Sequence, residues 1–488
     1  MLLTKTDFIQ YLDCPNSLWL LKNKEEIFNE YKGERSLFLE KLIREGYEVE
    51  EYAIKTFPGL QDLERAKPDE IEVSLSTPGS YSQVTLSIED RLFARLDVIE
   101  VHDDLSISIY EIKSSTKVKT DPKHNHIKDI CFQKYVTEQS GYKVRDVFHV
   151  HLNKDFVKDG EIEPFELIEK EEVNDLVAES YDQTISEIQS ALTLINKKVI
   201  NEDLCTCLEK TRSNHCDTFK YFNKEVPLQS IYDLQRISRK KILEFQDMAI
   251  LKIEDIPDDF KLSDYQSLQR QAVLDDDALI ERVGISSKLS KLISPLYFFD
   301  YETLPNAVPQ VDGYGPHGQV PIQYSLHILD ANGDIEHVEY LSENLESPEK
   351  LLSHMREHIG STGTLVSWYA SFEKSRNKEM SELYPEYSDF LHDINARTFD
   401  LMDVFKNDYV DAKFEGSNSI KKVQPILVPD LSYKQLEVQS GTMAVDSAER
   451  LYKMTDLGQI ESLRKSMLEY CKMDTLAMVE IYKKLKQI

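Results

Sequence analysis

The spacing of apolar residues along the chain changes from a helical to a strand-like pattern. Residues 4–55 place Phe8, Leu12 and Leu18 at roughly helical intervals in TDFIQYLDCPNSLWLLKN, and SLFLEKLIREGYEVEEYAIKTF continues that pattern. From about 84 to 116 the residues alternate, first in VTLSIEDRLFARLDVIEV and then, after the turn formers HDD, in LSISIYEIKSS. Alternation on both sides of a turn predicts a β-hairpin.

The second half of the chain repeats this change. Residues 226–294 are polar and helix-like, with the acidic run DDDALIE, and we interpret them as a helical connector. Alternation returns at about 295 in PLYFFDYETL, VPIQYSLHIL and IEHVEYLS, and a long terminal helix is predicted over 459–487. This order of strands and helices predicts a mixed α/β domain over residues 295–488, and we place a first domain at residues 1–225.

The composition excludes several classes of protein. Hydrophobic residues make up 41% of the 488 residues, with only 16 Gly and 17 Pro, which excludes a mostly disordered or fibrous chain. No apolar run approaches the roughly 18 residues of a membrane span, and MLLTKTD lacks the apolar core of a signal peptide, so we expect a cytoplasmic protein without a membrane partner. The net charge of -29 disfavours binding of nucleic acid, because an acidic surface repels phosphates. An enzyme that binds phosphates through divalent cations also needs clustered carboxylates, however, so the charge leaves both possibilities open.

Asp97, Glu111 and Lys113 form the first candidate catalytic group. Glu111 and Lys113 are two residues apart in IYEIKSS, so both project from one strand face, and Asp97 in FARLDVIE can reach that face across the hairpin. Two carboxylates and an amine there would hold Mg or Mn, and the amine would position or activate a water for phosphodiester hydrolysis. An exposed strand face with an ordinary ion pair is the alternative.

These residues, followed by Gln133 and Tyr135 in DICFQKYV, resemble the PD-(D/E)xK nucleases. The closest resemblance is to the RecB-like branch, which includes CRISPR-associated exonucleases with an iron-sulfur cluster. It implies a restriction-endonuclease-like fold and these roles: metal binding by Asp97 and Glu111, activation of water by Lys113, and support near DNA by Gln133. It also implies a further His or Glu from an earlier helix, a place for which Glu50 competes with neighbouring glutamates.

Four of the six cysteines form a second group. Cys14 lies near the start, and LCTCLEKTRSNHC contains Cys205, Cys207 and Cys216. One distant and three close ligands suffice for a four-thiolate metal or cluster site. The RecB-like branch has this layout and implies a [4Fe-4S] cluster, but the C-x-C-x8-C spacing departs from its usual pattern. Zinc therefore stays open, with His215 as an alternative ligand. Cys131 and Cys471 fall in helical patterns and are expected to be buried as small apolar residues.

A third group combines a strand and the terminal helix. Asp300 and Glu302 alternate on one strand face in YFFDYET, among large apolar residues, and Tyr470 and Asp474 lie four apart on the apolar stripe of the helix. Carboxylates in an apolar setting need a partner or a cation, so we expect the two pairs to meet. A Tyr and an Asp at a solvated helix edge is the alternative.

This third group resembles the RNase H-like DEDD exonucleases. D-x-E-T opens the first strand, Y-x3-D marks the Tyr-containing subgroup, and SWYASFEKS stands in the place of N-x3-F-D, which puts Glu373 where Asp is usual. The resemblance implies that two metal ions are bound by Asp300, Glu302, Glu373 and Asp474, and that Tyr470 positions the attacking water. Asp400 in TFDLMDVF is the alternative ligand, and His327 on the next strand is expected to be structural.

Together these resemblances cover nearly the whole chain and match an uncharacterised bacterial family that fuses the two nuclease folds through a helical connector. They imply a metal-dependent deoxyribonuclease with two candidate centres that acts at ends or single strands. We expect contacts to DNA, more than to RNA, from SRKKIL, KTRSNH and IKKV. The alternatives are a 3'-5' ribonuclease that uses only the C-terminal centre, and a non-catalytic scaffold. Protein partners and polarity stay open.

Overall fold

The computed structural model describes residues 1–33, 36–121 and 124–488. Within these residues the chain divides into two compact units. The first comprises Met1–Glu225 with Ala307–Pro309 and Gly315–His317, and the second comprises Val226–Asn306, Gln310–Tyr314 and Gly318–Ile488. The first unit therefore ends near the boundary that we placed at 225, and residues 226–294, which we interpreted as a connector, belong to the second unit.

The first unit contains helices on a mixed β-sheet. Its helices α1 to α9 span Lys5–Asp13, Pro15–Asn23, Glu25–Lys32, Leu37–Ile54, Pro68–Leu75, His126–Gln139, Pro164–Leu167, Asn174–Ile195 and Phe219–Phe222. Its strands β1 to β7 span Leu3–Thr4, Gln61–Asp62, Gly79–Ile88, Leu92–Val101, Ile107–Ile112, Val144–Leu152 and Ile168–Glu172. In the described part of this unit the strands form one sheet in the order β2-β3-β4-β5-β6-β7, with β1 paired to β4.

Strands β3, β4 and β5 run antiparallel, as the hairpin pattern predicts, while β5 and β6 run parallel. Strand β5 is buried along its whole length, so polar residues on it must be paired inside the fold. Helix α1 begins with a capping box between Thr4 and Asp7 and ends at Asp13, and Pro15 starts α2 after the single capping residue Cys14. This break places Cys14 at the junction of the two helices.

The second unit has a smaller mixed sheet. Its helices α10 to α18 span Arg239–Asp247, Asp264–Asp275, Arg282–Leu289, Glu349–His358, Ser371–Leu383, Ser388–Arg397, Ile420–Leu427, Gly441–Lys453 and Leu457–Leu485. Its strands β8 to β14 span Leu279–Ile280, Leu296–Pro305, Gln319–Leu329, Ile335–Leu341, Thr364–Ser367, Thr398–Asp400 and Tyr409–Val410. Among the described residues the sheet order is β11-β10-β9-β12-β13, and β8 pairs separately with β14.

Strand β9 is the central strand of this sheet. It pairs antiparallel with β10 and parallel with β12, and the terminal helix α18 packs on β9 and β10. The predicted mixed α/β class is confirmed. No helix in residues 1–33, 36–121 and 124–488 combines the length and the apolar character needed to cross a bilayer.

Candidate metal centres

The first centre, here called the N-terminal centre, is built from Asp97, Glu111 and Lys113. Asp97 is on β4, Glu111 is on the neighbouring β5, and Lys113 follows β5 directly. Asp97 Oδ2 accepts a hydrogen bond from the Ile112 backbone N–H at 2.8 Å, and the Lys113 ammonium lies 2.6 Å from Glu111 Oε1. The antiparallel pairing of β4 and β5 therefore brings the three predicted residues to one place.

Helices α1 and α6 add further groups to the N-terminal centre. Gln133 donates from Nε2 to Glu111 Oε2 at 2.5 Å, and Asp129, one helical turn earlier on α6, accepts from the Lys113 ammonium at 2.6 Å. The Lys5 ammonium lies 2.8 Å from Glu111 Oε1. We did not predict Lys5 or Asp129 from the sequence. The i, i+4 spacing to Gln133 could have indicated Asp129, whereas Lys5 arrives only through the pairing of β1 with β4.

The charged groups of the N-terminal centre shift one another's pKa values. Glu111 is fully buried, which opposes its ionisation, but Lys113 and Lys5 outweigh the burial and hold the pKa of Glu111 well below its usual range. Burial and then the Glu111 carboxylate raise the pKa of Asp97 to about 7. Burial opposes the charge on Lys113, but Asp129 and Glu111 raise its pKa well above the usual range, so its amine stays protonated.

Two residues that accompany the N-terminal centre in the sequence have different places in the fold. Glu50 on α4 lines a cleft of about 180 Å³ that is also lined by Asp97, Glu111 and Lys113. Burial raises the pKa of Glu50 above its usual value. Tyr135 lies elsewhere, because its hydroxyl accepts a hydrogen bond from Gln189 on α8 at 3.0 Å. The fold thus brings Glu50, but not Tyr135, to the centre.

The cysteine centre consists of Cys14, Cys205, Cys207 and Cys216. The four side chains are buried, none is in a disulfide, and their sulfur atoms all lie within 4.8 Å of one another. A zinc–sulfur bond of about 2.3 Å gives a tetrahedron with edges of about 3.8 Å, which this spacing fits. A [4Fe-4S] cluster is likewise held by four Cys thiolates. The four thiolates could bind a metal ion or an iron-sulfur cluster.

Polar contacts around the cysteine centre favour thiolates. Asn223 Nδ2 donates to Cys205 Sγ at 3.3 Å, and the Lys210 ammonium lies beside Asp13, the residue before Cys14. His215 is outside the four-sulfur group: its ring stacks on Phe219 with 3.6 Å between the ring centroids. The geometry therefore favours four sulfur ligands over a set that includes His215.

The third centre, here called the C-terminal centre, gathers carboxylates from three elements. Asp300 and Glu302 lie two residues apart on β9, Glu373 lies in the first turn of α14, and Asp474 lies on α18. The Asp300 carboxyl is within hydrogen-bonding reach of Glu373 and close enough to Asp474 and Glu302 for strong repulsion. Glu373 Oε2 is buried and has no hydrogen-bond partner among the described residues. An unsatisfied buried carboxylate oxygen is the kind of donor that a hard divalent cation completes.

Three side chains surround these carboxylates. The Tyr433 hydroxyl donates to Asp474 Oδ1 at 2.6 Å, and the Lys421 ammonium donates to the Tyr470 hydroxyl oxygen at 2.8 Å. The sequence had singled out Lys421 only as part of the basic run IKKV, and nothing in the pattern had indicated Tyr433. Both reach the centre through loops and a short helix whose packing no periodicity specifies.

All four carboxyls of the C-terminal centre hold protons more tightly than usual. Burial and then the Asp474 carboxylate raise the pKa of Asp300 well above its usual range and that of Glu302 to about 8. Burial raises the pKa of Glu373 to about 8 and that of Asp474 above its usual value. A bound divalent cation would reverse these shifts, because it favours the ionised carboxylates.

Comparison with known proteins adds a family match within the second unit. Residues 297–419 match a domain of unknown function (DUF2779). The chain is also 29% identical over 213 residues to an uncharacterized protein MG366 homolog of Mycoplasma pneumoniae, a match that covers 39% of this chain and 32% of the relative. An uncharacterized protein UU173 of Ureaplasma parvum is 28% identical over 217 residues, which is 39% of this chain and 31% of that protein. The chain thus spans about a third of the length of these relatives.

The DUF2779 region contains three of the four carboxylates of the C-terminal centre, and it also contains Asp400 and His327. Asp400 Oδ1 accepts hydrogen bonds from the backbone N–H groups of Tyr369 and Met402, so this carboxylate holds a loop. His327 is buried with Nδ1 2.8 Å from the Thr475 hydroxyl oxygen. The fold thus brings Glu373, rather than Asp400, among the other carboxylates. Cys471 on α18 and Cys131 in the first unit are both buried.

The raised pKa values predict how stability depends on pH. Glu302 and Glu373 titrate near 8 in the fold but near 4.3 in an unfolded chain, so the folded state binds more protons between these values. We expect the metal-free protein to lose stability as the pH rises from about 5 to about 8. Added Mg²⁺ or Mn²⁺ should raise the melting temperature more at the upper end of this window, where fewer protons compete. Thermal unfolding with and without the cation measures both effects. A cation effect that is the same in the Glu302→Gln variant would contradict this assignment.

Proposed function

We propose that this chain is a metal-dependent nuclease that hydrolyses phosphodiester bonds of DNA, with the C-terminal centre as its principal active site. The observation that carries this proposal is the convergence of Asp300, Glu302, Glu373 and Asp474 around a buried carboxylate oxygen without a partner in the described structure. Clustered carboxylates of this kind suit two divalent cations. An RNase H-like fold for the second unit and a PD-(D/E)xK fold for the first are part of the proposal.

Mg or Mn, when bound by these carboxylates, would supply charge that polarises the phosphate and lowers the pKa of water. Burial and then the Asp474 carboxylate raise the pKa of Tyr470 and of Tyr433, so both hydroxyls keep their protons. Because Lys421 already donates to the Tyr470 oxygen, the Tyr470 hydroxyl proton is directed to another acceptor. In the structure that acceptor is Asp474. In this proposal Tyr470 would orient the attacking water when cations are bound to Asp474, while Tyr433 holds Asp474 in place.

The N-terminal centre would contribute a second metal site, in which more of the carboxylate charge is compensated by ammonium groups than in the C-terminal centre. Glu111 there contacts two ammonium groups, those of Lys5 and Lys113, whereas Lys421 is the ammonium that lowers the pKa of Glu302 and Asp474. The C-terminal centre therefore keeps more uncompensated negative charge, which favours it as the principal site. A protonated Lys113 cannot accept a proton, so we assign it to positioning water or phosphate.

The cysteine centre would hold a bound metal that joins the start of α2 to the segment around Cys205. The four-thiolate set suits the [4Fe-4S] cluster of the RecB-like branch, and a single zinc ion is the alternative. Four reduced thiols also suit a cytoplasmic location, which we include in the proposal. A brown preparation that absorbs at roughly 400 nm would identify the cluster, whereas a colourless one with stoichiometric zinc would identify the ion.

The charge balance also favours a second candidate, a 3'-5' ribonuclease that uses only the C-terminal centre. The test compares the wild type, Lys113→Ala and Glu302→Gln on end-labelled single-stranded DNA, duplex DNA and RNA with Mg²⁺ or Mn²⁺. Loss of DNA hydrolysis in Glu302→Gln with activity kept in Lys113→Ala supports the principal site. Hydrolysis of RNA alone would replace DNA by RNA as the substrate. If the wild type hydrolyses none of these substrates, the nuclease proposal is wrong and a non-catalytic binding scaffold is the remaining interpretation.

A further inference from the structure

A pocket of about 570 Å³ lies in the second unit, and two of its lining residues are near residues of the C-terminal centre in the sequence. Tyr369 lines it four residues before Glu373, and Ile420 lines it next to Lys421, whose ammonium contacts Tyr470. The volume is within the range of small-ligand sites in proteins. Residues that we interpreted as connector contribute Arg236 and Tyr265 to the lining.

Asn418 fixes two aromatic residues of the pocket wall. Its side-chain oxygen accepts from the Tyr265 hydroxyl at 2.8 Å, and its backbone oxygen accepts from Trp368 Nε1 at 3.0 Å. Asn418 Nδ2 donates to the Phe405 carbonyl at 2.9 Å, so the buried side chain is itself held at both ends. The wall is therefore ordered by hydrogen bonds within the unit, and a ligand would meet a preformed surface.

Tyr369 presents an aromatic ring at the rim of this pocket. Its side chain is 58% exposed, and its φ of 65° lies in the left-handed region that non-glycine residues rarely adopt. The backbone is held there by the hydrogen bond from Tyr369 N–H to Asp400 at 2.9 Å. Strained backbone conformations are concentrated at the functional sites of proteins, and Tyr369 combines such a conformation with an exposed aromatic ring.

Positive groups lie on the same pocket. Arg236 is exposed, whereas Lys406, which also lines the pocket, is paired with Asp403 and lies 3.6 Å from Asp400 Oδ2. Helix α16 begins at the pocket, and its N-cap residue Ser419 makes no side-chain capping bond, so the first backbone N–H groups of α16 add to the positive potential. A chain with a net charge of -29 thus places cations beside aromatic rings at this point.

We infer that this pocket binds an unpaired nucleotide of a single-stranded DNA end, with the base stacked on Tyr369 and the phosphate held by Arg236 and the start of α16. The inference rests on the proposed nuclease function and specifies its substrate. A base in a duplex is stacked on both faces and cannot cover the Tyr369 ring, whereas an unpaired base can.

The test measures binding separately from hydrolysis. Fluorescence anisotropy follows a short labelled DNA strand, the same sequence as a blunt duplex, and the same sequence as RNA. The protein is the full chain with Glu302→Gln and no added divalent cation. Tyr369→Ala should weaken binding of the DNA strand by about 10-fold or more with an unchanged salt dependence. Arg236→Ala should lower the slope of log affinity against log salt by about 0.7, the effect of one lost phosphate contact on a single strand.

Matched variants control for the loss of side-chain volume and charge. Tyr369→Phe keeps the ring and should bind like the parent chain. Lys465→Ala removes an exposed cation of α18 that does not line the pocket, and it should leave affinity and salt slope unchanged. Equal binding by Tyr369→Ala and Tyr369→Phe would overturn the inference, as would equal affinity for duplex. Tighter binding of the RNA strand would overturn its assignment to DNA.

The outcomes also separate this inference from the proposed function. If the wild type hydrolyses DNA but Tyr369→Ala binds like Tyr369→Phe, the nuclease proposal stands and the pocket assignment is wrong. If the binding variants behave as expected but the wild type hydrolyses no substrate with Mg²⁺ or Mn²⁺, the pocket assignment stands and the nuclease proposal is wrong.

Discussion

Replacing Glu302 with Gln should reduce metal-dependent DNA hydrolysis by at least about 100-fold, because even indirect partners of a metal commonly contribute 10- to 100-fold. The amide keeps the shape of the side chain but cannot become a carboxylate, whereas Glu302, with a pKa of about 8, would lose its proton when a cation binds or the pH rises. The loss of repulsion should leave the fold at least as stable as the wild type in the absence of metal. Initial rates on an end-labelled single strand, with melting temperatures alongside, measure both consequences.

Glu382→Gln is the matched control for this substitution. Glu382 lies on α14, as Glu373 does, but it is 68% exposed and only 4.0 Å from the Lys378 ammonium, an ion pair of little expected energy. Its variant should hydrolyse DNA at the wild-type rate. A Glu302→Gln protein that keeps wild-type activity would show that the C-terminal centre is not the active site, and the assignment would then move to Lys113 and its neighbours.

Replacing Cys216 with Ala should release the bound metal and destabilise the first unit by several kcal/mol, because a structural zinc site supplies roughly 10 kcal/mol or more in small domains. The reason is local: Cys14 follows α1, and Cys205, Cys207 and Cys216 follow α8, so the metal would join distant parts of the chain. Metal analysis of the purified protein and its thermal unfolding measure the effect.

Cys131→Ala is the control for Cys216→Ala, since both changes remove one buried sulfur. Cys131 packs in the core of the first unit away from the four-sulfur group, and its loss should cost about 1 kcal/mol with the metal content unchanged. Equal stability losses in the two variants, with metal retained in both, would mean that Cys216 is an ordinary core residue.

Local spacing explains which parts of the candidate sites the sequence could predict. Glu111 with Lys113, and Asp300 with Glu302, are two residues apart on strands, and Tyr470 with Asp474 are four apart on a helix. In each case the period of the element places both side chains on one face. Strands β4 and β5 and helix α18 formed where the patterns predicted them, so these pairs could be derived before the fold was known.

Tertiary packing determines the remainder. Lys5 reaches Glu111 because β1 pairs with β4, and Lys421 reaches Tyr470 because α16 lies against α18. Neither contact has a local signal. Asp400, the alternative ligand, also depends on packing, because one of its carboxylate oxygens accepts from the backbone of Tyr369. The connector also packs as part of the second unit, where Ile285 and Leu289 share a core cluster with apolar residues of α18.

The central claim is that the C-terminal carboxylates support metal-dependent hydrolysis of DNA, and the most direct measurement is a time course on an end-labelled single strand. The wild type and Glu302→Gln are compared with Mg²⁺ or Mn²⁺ and without a divalent cation. We predict that the wild type shortens the strand only with the cation and that Glu302→Gln does not shorten it. Equal degradation of the strand by both proteins would contradict this prediction. An intact strand after incubation with the wild type and Mg²⁺ or Mn²⁺ would also contradict it.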